Sequence, residues 1–345
     1  MRLFRSGTAK EAAPADGTDA LLVDLDGVVY RGARAIPHAV DALNAASQRG
    51  QRVGYITNNA SRTDVSVAEH LRELGLHTQP DDIVTSPQAA VRLLADQVPA
   101  GALVLVVGGA GLVDELVKAG YRVTREAADQ PDAVVQGFAP DVNWIQLAEA
   151  SYALQRDIPW IATNQDWTIP REGGIAPGNG TLVSAVHTAT QKMAQVAGKP
   201  ETPLFTAAVE RFGARNPLMI GDRLDTDIRG ANRAQLRSLL VLTGIDQAKQ
   251  LFAAGPEDRP DYIVRDLRDL TTPYPAVEVE ARPEFVEARV GKSKVVLDGI
   301  TLQVRSSGTN EIDLLRAACA AIWNSGKLIY ALEIPPSLLR MDFSQ

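Results

Sequence analysis

Cysteine is nearly absent from this sequence of 345 residues: Cys319 stands alone, so no intramolecular disulfide can form. A single thiol fits a reducing compartment, and free cysteine is most often a core residue. Long apolar runs are missing too. No stretch nears the ~18 consecutive apolar residues of a membrane-spanning helix. Residues 1–18 carry Arg2 and Arg5 but no apolar segment of the kind that makes a secretory signal, and predict a flexible N-terminal tail. Positive charge is not in excess either. The formal net charge of −7 argues against nucleic acid or a membrane surface as the main partner. It leaves room for a small phosphorylated metabolite held at a local cationic site. Histidine is sparse, and His38, His70, His77 and His187 show no metal-ligand spacing. These absences predict a cytoplasmic protein.

What is present is ordinary for a globular chain: 45% apolar and 22% charged residues. At ~150 residues per domain the length suggests two or three domains. Short β-branched runs alternate with amphipathic segments, which predicts an α/β protein with a parallel sheet. Core strands are expected at Leu21–Asp26, Arg52–Thr57, Pro217–Gly221, Ser238–Leu242 and Tyr262–Val264, and helices at Ala39–Gln48, Val65–Leu74, Thr202–Phe212 and Thr226–Ala234. A second α/β block interrupts this pattern. It has strands at Ala102–Val107, Ala133–Gln136 and Trp160–Ala162, and helices that include Trp144–Arg156 and Leu182–Val196.

The expected organisation is a Rossmann-like parallel-sheet core (residues 19–85 and 189–272) with an inserted α/β cap domain (86–188). A small C-terminal α+β extension follows at 273–345, opened by the Pro-punctuated stretch "TPYPAVEVEARP" that predicts a linker. The extension shows strand patterns in "FVEARV" and "ITLQVRS", then a helix at Glu311–Trp323. Asn310 is its N-cap and Asp313 stands three residues on.

In sheets of this kind ligands bind at the carboxyl ends of the strands, and the polar residues of this chain gather there. "LLVDLDGVVY" places Asp24 and Asp26 on the same side of a regular strand, followed by Gly27. Two acids so close repel unless a cation neutralises them. Another strand ends in Thr57-Asn58-Asn59, and a third in Asp222, with Asp225 and Asp227 shortly after. Lys199 follows a helix end in "VAGKP". Each feature alone fits a turn, a cap or a solvated side chain. Four such clusters at matching strand ends point to chemistry.

These residues resemble the haloacid dehalogenase superfamily. "DLDGV", "ITNN", Lys199 in "GKP" and "GDRLDTDI" match its four motifs in order and spacing. The insertion resembles the type-2 α/β cap. The stretches "DGVVYRG", "ATNQD" (Ala162–Asp166) and "PGNGTLVSAV" (Pro177–Val186) are similar to the branch of 4-nitrophenylphosphatases, phosphoglycolate phosphatases and glycerol-3-phosphate phosphatases.

The resemblance implies an Mg²⁺-dependent phosphomonoester hydrolase working through an aspartyl-phosphate. Asp24 would be the nucleophile, Asp26 the general acid and base, and Lys199 a catalytic cation. Gly27, Thr57, Asn58, Asn59 and Lys199 would bind the phosphoryl oxygens. Asp24, the Asp26 carbonyl and Asp222 would hold Mg²⁺, with Asp227 holding a metal water or Lys199. The charges agree: a phosphomonoester dianion beside Asp24 and Asp222 outweighs the single charge of Lys199, and a divalent cation nearly restores balance.

The substrate is expected to be a small phosphorylated metabolite, glycerol 3-phosphate foremost. Phosphoglycolate and nucleoside monophosphates are the alternatives, and a phosphomutase or a non-catalytic ligand-binding protein is the more distant reading. The cap and the C-terminal segment are the candidate surfaces for a homo-oligomer. "VGGAGL" (Val107–Leu112) lacks both the third glycine of a dinucleotide loop and the Lys-Ser/Thr of a P-loop, so a structural role is expected.

Overall fold

The computed structural model describes residues 12–171 and 173–343. It divides into two compact units, one built from the residues up to Val53 and from Asn216 onward, the other from Gly54–Arg215.

In the first unit, four parallel strands lie in the order Tyr262–Val264, Arg237–Val241, Leu218–Gly221, Ala20–Val23. Leu21 pairs with Leu218 and Val23 with Ile220. The strands are short, apolar and almost wholly buried, as parallel strands covered on both faces must be. The first strand stops at Val23, three residues before the expected end. The N–H of Asp24 still donates to the Ile220 carbonyl at 2.9 Å, but the chain then turns. The N–H groups of Val29 and Tyr30 both return to the Leu25 carbonyl, at 2.9 and 3.1 Å. The alternation of a regular strand therefore does not reach Asp26. Asp24 is largely buried, whereas Asp26 is exposed.

Residues 12–18 are not loose. Ala13 and Ala15 are buried, and the Ala15 N–H donates to the Leu270 carbonyl at 3.0 Å. The rest of the expected tail, residues 1–11, lies outside the described residues.

The presumed linker contains a strand. Val277–Arg282 pairs antiparallel with Phe285–Val290, which pairs with Ser293–Asp298, which pairs with Thr301–Ser307. The helix Glu311–Asn324 covers this four-stranded sheet. Asn310 caps it by accepting from the Ile312 N–H at 3.3 Å. Asp313 instead pairs with Arg316 at 2.8 Å.

Leu240, Leu251, Phe252 and Ile263 share one apolar cluster with Val295, Leu297, Leu315 and Trp323. The indole of Trp323 donates to the Leu251 carbonyl at 2.9 Å. The C-terminal segment thus shares its core with the helices and strands of residues 224–263. Cys319 is buried there, and desolvation pushes its thiol well above the usual range.

The second unit carries a five-stranded parallel sheet. Its order is Gln195–Val196, Trp160–Ala162, Ala133–Gln136, Leu103–Val107, Arg122–Thr124. The helices Trp144–Ala153 and Asn179–Thr190 pack on it through Ala150, Ala153, Val183 and Val186. Gln195–Val196 was expected to continue a helix. That helix ends at Thr190, because Gln191 turns to φ 58°, and Gln195 then pairs with Ile161. A two-residue strand has too little period to be legible.

The strand Arg52–Thr57 runs into this unit and pairs in parallel with Ile83–Thr85. A capping box between Thr85 and Gln88 starts the next helix, Ser86–Ala95. Arg125 donates to the carbonyl of Gly108 in the "VGGAGL" stretch at 2.8 Å and to that of Val106, just before it, at 2.5 Å. A Cβ on Gly111 would meet the Arg62 carbonyl oxygen at 2.8 Å. That loop is packed structure.

Candidate active site

In the first unit, strand ends deliver three acids to one place. Carboxylate oxygens of Asp24, Asp222 and Asp227 lie within 4.8 Å of one another. Asp24 leaves Ala20–Val23, Asp222 leaves Leu218–Gly221, and Asp227 sits in the wide turn Leu224–Ile228 that leads into the helix Arg229–Arg233. Exposures are 9%, 2% and 0% in that order, so solvent does little to screen their repulsion.

Asp227 is fixed by two main-chain donors: its Oδ2 accepts from the N–H groups of Asp222 and Arg223 at 3.2 and 3.1 Å. It thereby shapes the turn that carries Asp222. Asp225 faces solvent, in an ion pair with Arg223. Asp26 is not in the acid cluster; it lies in the turn, where Gly27 donates to the Tyr30 carbonyl at 2.9 Å.

Glycines wall in Asp222. A Cβ on Gly27 would stand 2.2 Å from Asp222 Oδ2, and Gly27 holds φ +80°. A Cβ on Gly244 would stand 1.9 Å from the same atom. The segment Thr243–Asp246 completes this wall, and the sequence reading missed it. The Ile245 N–H donates to Asp222 Oδ2 at 2.8 Å, and the Thr243 hydroxyl donates to the Gly27 carbonyl at 2.6 Å. Asp246 accepts from the Leu224 N–H at 2.6 Å. Burial raises the Asp246 carboxyl above its ordinary range, against the lowering effect of that hydrogen bond. The signal was available: "LTGID" follows the strand Arg237–Val241 at the same carboxyl end.

On the expectation that Asp222 holds Mg²⁺, Gly244→Ala should displace its carboxylate and weaken Mg²⁺ binding about 10- to 100-fold, the usual cost of disturbing what supports a metal ligand. An Mg²⁺ titration of activity reads this directly, and an unchanged midpoint would show that the wall has slack.

The second unit gathers the other expected residues. Thr57 is 5% exposed and Lys199 3% exposed. The Thr57 hydroxyl accepts from the Asn59 N–H at 3.1 Å, which leaves its own proton to donate. The Asn59 side chain forms a turn with Ser61, at 2.9 Å to the N–H and 2.7 Å to the hydroxyl. Asn58 departs from the expectation. Its amide group donates to Asp166 Oδ1 at 3.1 Å and to the Lys199 carbonyl at 3.0 Å, and its oxygen accepts from the Lys199 N–H at 2.8 Å. Both donor hydrogens are engaged, so this side chain has none to give a phosphoryl oxygen.

Two family profiles match the chain. One, haloacid dehalogenase-like hydrolase, covers residues 21–122; the other, of HAD-like hydrolases, covers residues 196–270. The chain is 43% identical to D-glycerol 3-phosphate phosphatase of Mycobacterium tuberculosis, over 89% of this chain and 86% of the relative. It therefore belongs to the haloacid dehalogenase-like hydrolase family. Glycerol-3-phosphate phosphatase of Gallus gallus is 36% identical over 75% of this chain and 92% of its own.

Among solved structures, glycerol phosphate phosphatase from M. tuberculosis in complex with magnesium superposes with a TM-score of 0.80. It has 41% identity and covers 92% of this chain and 93% of its own. The p-nitrophenyl phosphatase from Archaeoglobus fulgidus gives 0.69 at 28% identity, over 74% of this chain and 98% of its own.

Proposed function

We propose that this chain is a magnesium-dependent phosphatase that hydrolyses glycerol 3-phosphate through an aspartyl-phosphate. The observation that carries the reading is the convergence of Asp24, Asp222 and Asp227 within 4.8 Å, in a buried site walled by Gly27 and Gly244. Clustered oxygen donors of like charge suit a hard divalent cation. Asp24, the Asp26 carbonyl and Asp222 would hold Mg²⁺, and Asp227 would support them through the turn it organises. When bound, the ion neutralises charge and polarises a phosphoryl oxygen. Names of the relatives support the substrate: two at 43% and 36% identity are glycerol-phosphate phosphatases.

The chain's own groups carry the steps. An Asp24 oxygen attacks phosphorus as the ester P–O bond breaks, and Asp26 gives its proton to the departing alkoxide. A water then loses a proton to Asp26 and attacks phosphorus, the P–O bond to Asp24 breaks, and inorganic phosphate leaves. The Thr57 hydroxyl, the main-chain N–H groups beside it and Lys199 would balance the charge on the phosphoryl oxygens. Residues 86–188 would serve as the cap that excludes water and selects the leaving group over a core of 19–85 and 189–272. Self-association through the cap or the C-terminal segment is part of the same reading. Among the described residues no helix is long and apolar enough to cross a membrane.

A kcat/KM comparison across phosphate esters tests the substrate. Glycerol 3-phosphate should exceed 2-phosphoglycolate, 4-nitrophenyl phosphate and nucleoside monophosphates by at least about 10-fold, the scale of discrimination by one well-matched group. A preference for phosphoglycolate or a nucleotide would replace the substrate and leave the chemistry standing.

A further inference from the structure

We propose that Asn58 is a positioning residue that sets the main chain of Lys199, and that the stretches "ATNQD" and "PGNGT" hold Asn58 in place. The proposal rests on the reading of Lys199 as a group that meets the phosphoryl oxygens.

Asn58 grips both main-chain groups of Lys199, accepting from its N–H at 2.8 Å and donating to its carbonyl at 3.0 Å. A side-chain amide here does what a neighbouring strand would do, across 141 positions of sequence. Gly198 makes the approach feasible: a Cβ there would meet Asn58 Oδ1 at 2.6 Å and the Thr163 carbonyl oxygen at 2.5 Å.

Asn58 is itself pinned. Its second donor hydrogen goes to Asp166 at 3.1 Å. Its own carbonyl accepts from Asn164 Nδ2 and from the Ser86 hydroxyl, each at 2.8 Å. Asn164 is 3% exposed, and its Oδ1 accepts from the Asp166 N–H at 3.2 Å.

One tier further out, Asn179 is 1% exposed and donates to the Asn164 carbonyl at 2.8 Å. The glycines on either side of it allow backbone to lie on backbone. A Cβ on Gly178 would fall 2.1 Å from the Asp166 carbonyl oxygen, and one on Gly180 would fall 2.4 Å from that of Gln165. The Gly180 N–H donates to the Asp166 carbonyl at 2.9 Å.

The chain of contacts runs from Asn179 to Asn164, to Asn58, to Lys199. Buried polar networks rigidify where their members are satisfied; Asn58 and Asn164 have both amide nitrogen and oxygen engaged, whereas Asn179 Oδ1 has no hydrogen-bond partner among the described residues. A lysine ammonium rides on a flexible four-carbon stem, so its placement depends on a fixed main chain. A misplacement near 1 Å can cost about 100-fold in rate.

The test is a double-mutant cycle between Asn58→Ala and Lys199→Met, read as kcat and KM on glycerol 3-phosphate or 4-nitrophenyl phosphate. Asn58→Ala should lower kcat about 10- to 100-fold in the otherwise native enzyme. It should add almost nothing when Lys199 is already Met. A merely structural role would give the same loss in both backgrounds, and that result overturns the proposal. If Asn58→Ala fails to fold, Asp166→Ala replaces it in the cycle, with a smaller loss expected and the same dependence on Lys199. Wild-type turnover by Lys199→Met would overturn the assignment of Lys199 and the clamp with it. A crippled Lys199→Met with a fully multiplicative Asn58→Ala overturns the clamp alone.

Discussion

Asp24→Asn should yield a folded protein that releases almost no phosphate. The expected loss in kcat is at least about 10⁴-fold, on the scale seen when a member of a covalent catalytic set is removed. An amide matches the carboxylate in shape but offers no anionic oxygen to attack phosphorus. Stability should move the other way. Three carboxylates with oxygens within 4.8 Å of one another are crowded, and unit charges at such a distance repel by about 3–4 kcal/mol at an effective dielectric of 20. Neutralising one of them favours the metal-free fold. The melting temperature without metal should therefore equal or exceed that of the wild type, and the rise on adding Mg²⁺ should shrink. Near-normal turnover by Asp24→Asn would remove this residue from the role of nucleophile. A large fall in the metal-free melting temperature would mean that hydrogen bonds to Asp24 outweigh the repulsion.

Rigorous chelation should abolish activity, and Mg²⁺ should restore it. Asp222 and Asp227 are almost fully buried, and Asp24 is only 9% exposed. A phosphate dianion entering such a place meets repulsion from each carboxylate. The same ion should raise stability, by about 2.7 kcal/mol at a hundredfold excess over its dissociation constant. Activity and melting temperature should then follow one Mg²⁺ titration curve. Turnover that persists through metal removal would refute the charge argument, and a melting temperature indifferent to Mg²⁺ would place the ion elsewhere.

Much of the fold was legible because parallel strands buried on both faces are nearly all apolar. Arg52–Thr57, Ala133–Gln136, Trp160–Ala162 and Tyr262–Val264 appear with the expected bounds. The strand Val277–Arg282 was hidden because it alternates glutamate with valine between prolines, and only its pairing with Phe285–Val290 makes it a strand. The acid cluster was partly legible. Asp24, Asp222 and Asp227 stand out as acids in or after apolar runs, and they do converge. Asp26 seemed equivalent to Asp24 by spacing, and a strand ending at Val23 separates them. Thr243–Asp246 carried no charge pattern of its own beyond one aspartate, so its place against Asp222 went unread.

The sequence by itself determined the family and the α/β class and marked out three acids that converge, because motif order and strand hydrophobicity are local properties of the chain. Tertiary structure decided the rest. It assigned Asn58 to Lys199, 141 residues away, because only packing brings an amide to both main-chain groups of a distant residue. It set close neighbours against Gly27, Gly198 and Gly244, since the atoms a side chain there would strike come from elsewhere in the chain. It also joined the C-terminal segment to the core, because Leu315 and Trp323 complete an apolar cluster that Leu251 and Phe252 begin. Residue types announce what chemistry a chain can do; which atoms are left free to do it depends on which hydrogen bonds the fold has already taken.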